Sequence, residues 1–395
     1  MTAVASIVLV AVGLSVDIPP AGGVKLVDAQ LCSEDGTCAP VRLPVSLSAD
    51  PRADHVRARL VIDVPTTPRV GPQALYFPDY ADAMGVTIGG RALAVLEDGA
   101  PSVISRNRPA LFTLPEGGLE ADPLQIEVDL AAHPQLGARL GVVWFGPQAS
   151  LTAAYEARYW MTVGLAQAIL LVLCGLSVAF IWLASVRRET MQIALAVAIV
   201  SATTFSAFFA IAEPPLPVAL WTLIWDSAIR IHGLAAVVFL FRLIDVRAPR
   251  FEIAYGTFTA ISIAALALAP AHRFEAVSQL THTVSVIPAV MFVVIFWSNR
   301  HRLSALNTRA LMALFAVMIA TGISQLFIDE SSAFGTLISQ LMPLLMLALG
   351  AWMMMGQLVS AIRQYEALTQ TLHAQVAAKS AELEATYAEL AERRR

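Results

Sequence analysis

Charge is what this chain lacks most. Of its 395 residues only 14% are Asp, Glu, Lys or Arg, while 57% are hydrophobic, and mean hydropathy is +0.66. A soluble domain carries about 25% charged residues. The deficit is too large for burial in a core alone and implies several segments whose surface faces lipid. A net charge of −4 excludes the basic footprint of a nucleic-acid binder. Catalytic signatures are missing as well: there is no P-loop, no G-x-S-x-G, no H-E-x-x-H and no cluster of metal ligands. No catalytic residue, metal or cofactor is therefore assigned to these residues.

What is present divides into three compositions. Residues 18–152 read as a domain rich in Pro, Gly and charge, 153–360 are mostly apolar, and 361–395 are polar, rich in Ala and Glu, and free of Gly and Pro. A bilayer core needs about 20 apolar residues of helix. Seven segments meet or approach this: 160–185, 191–212, 217–241, 252–270, 277–298, 309–328 and 335–359. The fourth is the weakest, with Thr257, Thr259 and Ser262 inside it. Basic loop residues stay cytoplasmic. Arg187 and Arg188, then Arg242, Arg247 and Arg250, then Arg300, Arg302 and Arg309, and finally Arg363 fall on one side. Glu213, Arg273 with Glu275, and Asp329 with Glu330 fall on the other. The expected arrangement is a multi-pass protein of a bacterial inner membrane, with the N-terminal domain periplasmic and the C-terminus cytoplasmic. Export of that domain needs a signal, and the apolar run at 3–16 within residues 1–17 resembles the core of a signal peptide. A mis-set start or an N-terminal strand is the alternative, since no Lys or Arg precedes the run.

The outer domain reads as all-β. Short β-branched or alternating runs at 41–47, 56–64, 74–77, 85–88, 124–130 and 139–145 are separated by Gly, Pro, Asp and Asn, the pattern of a sandwich or jelly roll. Cys32 and Cys38 flank a Glu-Asp-Gly turn. In an oxidising compartment they are expected to form a disulfide across two strands; free thiols are the alternative. Cys174 falls inside the first span, as a small residue facing lipid or a neighbouring helix.

AlaLeuTyrPhePro at 74–78, GlyValThrIleGlyGlyArg at 85–91, ArgAsnArgProAlaLeuPhe at 106–112 and AlaTyrGluAlaArgTyrTrp at 154–160 together resemble bacterial seven-transmembrane receptors with diverse intracellular signalling modules. The resemblance covers the outer domain and all seven spans, and rests more on architecture than on any one motif. It implies a periplasmic jelly-roll-like sandwich similar to carbohydrate-binding modules. Tyr76, Tyr80, Arg91, Arg106, Asn107 and Arg108 are the aromatic and planar polar candidates for a small ligand such as a carbohydrate. The alternative is that Tyr76 lies in a strand core and the Arg-Asn-Arg turn packs against the membrane or the helices.

Ionisable residues inside a span are costly and face the bundle interior. Asp226 and Arg230 lie four apart on one face of the third span, which also holds His232. His282 lies in the fifth span, Gln325 in the sixth and Gln340 in the seventh. They form either a switchable network that relays a signal or, for Asp226 and Arg230, a pair that simply neutralises itself. Pro288 and Pro343 interrupt the backbone bonding of their spans, serving as hinges or as fitted kinks.

The C-terminal segment consists of strong helix formers. Val376, Leu383 and Leu390 recur every seven residues, with Ser380 and Tyr387 between them. Tyr365, Leu368 and Leu372 form an offset stripe above, which implies a stutter. A parallel homodimeric coiled coil is expected; a solvated amphipathic tail is the alternative. Residues 377–385 resemble the signalling helix that joins such receptors to a histidine kinase or a diguanylate cyclase. His373 lacks the neighbours of a phospho-acceptor. The run Arg393-Arg394-Arg395 ends in mid-helix without a cap, so a longer protein is expected, with a two-component histidine kinase as its output and a response regulator as its partner. A diguanylate cyclase, a receptor acting through a docked partner, and a transporter are the rival readings.

Overall fold

The computed structural model describes residues 19–33, 36–47, 56–64, 71–80, 82–96, 108–114, 124–302, 308–309, 311–312 and 333–393. The apolar run at 3–16, the Arg106-Asn107 pair and most of the sixth expected span lie outside them. The chain parts into two compact units, Met1–Leu345 and Met346–Arg395.

Among the described residues the first unit has twelve strands: β1 (Val24–Leu26), β2 (Asp28–Cys32), β3 (Cys38–Arg42), β4 (Val45–Leu47), β5 (Val56–Val64), β6 (Gln73–Phe77), β7 (Ala83–Ile88), β8 (Arg91–Ala94), β9 (Ala110–Thr113), β10 (Leu124–Ala132), β11 (Ala138–Leu140) and β12 (Val143–Pro147). They form a four-stranded sheet ordered β1-β12-β6-β9, a six-stranded sheet ordered β3-β2-β5-β10-β7-β8, and a β11-β4 pair. Alternation sets the register. In β5 and β10 the apolar residues face one side, and Leu60, Ile62, Ile126 and Val128 are fully buried, with Ile62 directly opposite Ile126. Phe77 and Phe145 from the smaller sheet enter the same core. A one-residue slip would turn the whole apolar set outward.

Two expected strands are each split. The run at 41–47 breaks at Leu43-Pro44, where proline has no N–H to donate. The run at 139–145 breaks at Gly141, whose N–H donates to the Asp79 carbonyl at 2.8 Å. A Cβ on Gly141 would lie 2.9 Å from that oxygen, so only glycine permits the approach. Cys32 and Cys38 are directly opposed in the β2–β3 hairpin and form a disulfide. It closes a short loop with a sequence separation of 6, and chain entropy then assigns it about 2 kcal/mol. Replacing both cysteines by serine is expected to lower the β domain's unfolding free energy by that amount, read by urea titration, with the protein still folded.

Among the described residues seven helices follow: α1 (Gln148–Tyr159), α2 (Leu165–Arg187), α3 (Thr190–Ala210), α4 (Val218–Leu243), α5 (Pro249–Leu268), α6 (Phe274–Asn299) and α7 (Ala333–Arg393). Proline begins α5 at a position where its missing N–H is not needed. A π-turn, Trp160–Gly164, joins α1 to α2. Five helical stretches are long and apolar enough to cross a membrane: Gln148–Val186, Thr190–Ala210, Val218–Leu243, Pro249–Leu268 and Ala271–Asn299. They coincide with the first five expected spans. The seventh expected span lies within α7, and the count of seven is not established by the described residues. Leu171, Val178 and Trp182 of α2 are each more than 60% exposed, a surface that water would not tolerate at this extent but lipid favours. Cys174 lies on the exposed side of the same helix. The protein is a multi-pass membrane protein with a β-sheet domain at its N-terminal end.

Candidate functional site

Two features of the first unit combine into a site. One is the seat of the β domain on the helices, and the other is a charged cluster buried just beneath it.

The seat is built by the turn at 133–137, between β10 and β11. Leu136 is 5% exposed and packs with Ala207 and Phe208 of α3 and Val218 and Trp221 of α4, with Leu170 of α2 alongside. Gly137 makes the turn possible, at φ +68°. A Cβ there would be strained in any case and would lie 3.0 Å from the Leu47 carbonyl and 3.8 Å from Glu275 Oε2 at the head of α6. A second anchor comes from Arg108, whose Nη2 donates to the Ala210 carbonyl at 2.9 Å. Ala210 ends α3, where exposed carbonyls and the helix dipole favour a cation. The seat is braced from the domain side. Arg139 pairs with Asp79 at 3.0 Å, both largely buried, and the His133 N–H donates to Asp82 Oδ2 at 3.1 Å.

His133 gives this seat a pH dependence. Burial pushes its imidazole below the ordinary value of 6.5, and its Nδ1 accepts from the Gln135 N–H at 3.4 Å. The folded state therefore favours the neutral ring. Above about pH 6.5 the folded and unfolded chains are both neutral there. Below it the unfolded chain takes a proton that the folded one refuses, so stability falls as pH drops from 6.5 to the folded-state value. Thermal unfolding of the β domain is expected to shift downward below pH 6.5, and His133→Gln is expected to flatten that part of the profile.

A close aromatic group links the seat to the layer below. Trp225 stacks on Phe208 with ring centroids 4.4 Å apart and on Phe205 at 6.2 Å. Asp226 is the next residue, with a fully buried side chain. Arg230 Nη1 pairs with Asp226 Oδ1 at 2.7 Å and also donates to the Asp226 carbonyl at 2.9 Å. From α6, Ser278 Oγ donates to Asp226 Oδ1 at 3.2 Å. Arg230 Nη2 reaches the Ser278 carbonyl at 3.4 Å and the Thr281 hydroxyl. His282 Nε2 lies 3.9 Å from Asp226 Oδ1. A bare carboxylate at this depth would be prohibitive; the pairing and these hydrogen bonds make it tolerable. The cluster ties α4 to α6, which are distant in sequence.

The residues singled out from sequence are thus sorted. Asp226, Arg230 and His282 converge. His232 does not join them: it faces α3, where Nδ1 bonds the Ala198 carbonyl at 2.9 Å. Gln325 and the Gln340 side chain lie outside the described residues. Pro288 lies inside α6. The described ligand candidates do not form one pocket. Tyr76 is 3% exposed and packs with Leu151 of α1. Tyr80 packs against the domain core. Arg91 is exposed at the start of β8 in the other sheet, and Arg108 is spent on Ala210. Periodicity offered no signal for Ser278, Thr281, Leu136 or Gly137, because small hydroxyls and a single turn leave no pattern in one sequence. In the second unit Leu368, Leu372, Val376 and Leu383 are all more than half exposed along α7, while the side chains of Tyr387 and Leu390 lie outside the described residues. Among the described residues no group of three or more His, Cys, Asp or Glu could hold a metal ion.

Compared with models of known protein families and with curated proteins, the chain matches none.

Proposed function

We propose that the chain is the input part of a transmembrane receptor. The observation that carries this reading is the seat: the β domain plugs Leu136 into the helix ends directly above a buried charged cluster that joins α4 to α6. A domain merely tethered to the membrane needs no such contact. In a receptor, ligand binding can act only by favouring one of two arrangements, and the seat gives it a mechanical outlet into the bundle.

The finer reading is as follows. The β domain is a periplasmic jelly-roll-like sandwich, the helices number seven, and the C-terminus is cytoplasmic. In support, the domain touches the helix ends that carry the arginine-poor loops, at Ala210 and Glu275, and the arginine-rich loops lie at the opposite ends. The ligand is small and polar, with carbohydrate implied by the resemblance. Two copies pair in parallel through the C-terminal part of α7 along Leu368, Leu372, Val376, Leu383, Tyr387 and Leu390, an apolar stripe on the otherwise polar stretch 361–393. The output is a histidine kinase with a response regulator as partner.

The test uses Leu383→Cys in a Cys174→Ser background, with the full chain in lipid vesicles. Copper-catalysed crosslinking between copies is expected, at a rate that changes when the matching sugar from a panel is added outside. Leu136→Asp is expected to abolish that change while leaving crosslinking intact. A tail that never crosslinks would remove the dimer from the reading. Substrate flux in liposomes carrying this chain alone would favour a transporter instead.

A further inference from the structure

We propose that the arginine-rich end of the bundle holds a site for the headgroup phosphate of an anionic phospholipid, at the corner where α4 ends, α5 begins and α6 ends. The inference goes beyond the receptor reading and rests only on the chain's being a multi-pass membrane protein.

Exposed tryptophans set the depth of the bilayer. Trp160 is 70% and Trp182 67% exposed, and both lie on the continuous helical stretch Gln148–Val186. They are 22 residues apart, or about 33 Å at 1.5 Å per residue. That matches the thickness of a hydrocarbon core, and tryptophan collects at its two faces. Arg188, six residues beyond Trp182 and exposed, then falls about 9 Å farther out, at the level of the headgroups. The same end of the bundle carries Trp297, 48% exposed, in the last turn of α6.

Three helices meet at this end on one aromatic node. Phe241, fully buried near the end of α4, meets Phe251 in the first turn of α5 with ring centroids 5.8 Å apart and Phe292 of α6 at 5.2 Å. Phe296 continues the node toward the end of α6. The residues flanking these rings are cationic. Arg242 follows Phe241, Arg247 lies in the connection, Arg250 precedes Phe251, and Arg300 lies one turn beyond Phe296. The acidic residues of the corner, among those described, are Asp245 and Glu252. Glu252 is held by Arg242 through contacts of 2.9 and 2.6 Å. Four arginines thus stand against two carboxylates, and Arg247, Arg250 and Arg300 are exposed.

Arg300 is placed where a headgroup would meet it. Its guanidinium carbon lies 4.2 Å from the centre of the Trp297 ring, and Nη1 donates to the Trp297 carbonyl at 2.8 Å. Indole and carbonyl together hold the planar group at interface depth. Its remaining N–H donors form the fork that suits a phosphate. A soluble anion would meet the same charges, but the surface beneath them favours a lipid. Val290, Met291 and Val294 of α6, within two turns of Trp297, are each about half exposed and give an acyl chain an apolar wall.

The experiment is native mass spectrometry of the full chain, released from micelles that hold phosphatidylglycerol and phosphatidylcholine with identical acyl chains in equal amounts. One basic residue near the surface attracts an anionic lipid about fivefold. Two uncompensated charges are therefore expected to give the phosphatidylglycerol adduct an excess of about 25-fold. Arg247→Gln, Arg250→Gln and Arg300→Gln are each expected to cut that excess about fivefold, and together to remove it. The single variants give the reading even where the triple variant does not fold. Arg247→Lys, Arg250→Lys and Arg300→Lys combined keep the charge and are expected to retain at least about half of the excess. Arg273→Gln, at the other end of the bundle, is expected to leave it unchanged. Equal retention of the two lipids by the unaltered chain, glutamine variants that keep the excess, or a lysine variant that loses it would overturn the proposal. Displacement of the lipid by excess glycerol phosphate would overturn it as well, by assigning the arginines to a soluble phosphate.

Discussion

Asp226→Ala is expected to destabilise the bundle by about 3–5 kcal/mol, the cost of leaving a buried charge without its partner. The guanidinium of Arg230 is almost fully enclosed, and without the carboxylate its contacts are neutral oxygens of Ser278 and Thr281 and its own helix carbonyl. Ser278 loses an acceptor at the same time. The measurement is urea unfolding in micelles, followed by tryptophan fluorescence, where Trp221 and Trp225 lie within one turn or so of the lesion. Asp226→Asn combined with Arg230→Gln is expected to cost less than half as much, since no charge then remains uncompensated. Equal losses in the two variants would mean that the pair contributes through shape and not through charge.

Phe77→Ala is expected to cost a similar 3–5 kcal/mol within the β domain. The ring is fully buried at the end of β6 and meets Phe112 edge to face, with centroids 5.7 Å apart and planes at 81°. Its strand pairs with β12 on one side and β9 on the other, so the neighbours cannot collapse into the space without shifting the sheet. Thermal unfolding is the readout, and the helices are expected to keep their signal. Phe77→Leu, which refills much of the volume, is expected to recover more than half of the loss.

The sequence revealed these elements unequally, for physical reasons. Long apolar runs announce themselves, and five spans fell where hydropathy put them. β5 was legible residue for residue because nine positions alternate between core and solvent. β1, β8 and β9 were not, since each has only three or four residues and their pairing is decided by neighbours remote in sequence. β6 carried a different message: all five of its residues are buried, because the core takes Leu75 and Phe77 while α1 covers Ala74 and Tyr76. A Tyr in such a strand looks like a ligand contact until the covering helix is known. In the site, the i,i+4 spacing of Asp226 and Arg230 was enough to place them together. Their partners on α6 were invisible, because α6 is some fifty residues on and serine or threonine in a membrane helix usually just bonds its own backbone.

The helical stretch Gln148–Val186 spans 39 residues, or about 58 Å at 1.5 Å per residue, nearly twice the thickness of a bilayer core. Its first three turns lie clamped against β6 through Leu151, Ala154 and Tyr155, so the β domain and the first membrane crossing share one shaft. A domain gripped this way cannot bob toward or away from the lipid independently of that crossing; the motions left to it are tilt and twist. The π-helical segment Trp160–Gly164 is where the shaft's winding departs from regular pitch, and it separates the turns gripped by the β domain from those that enter the membrane.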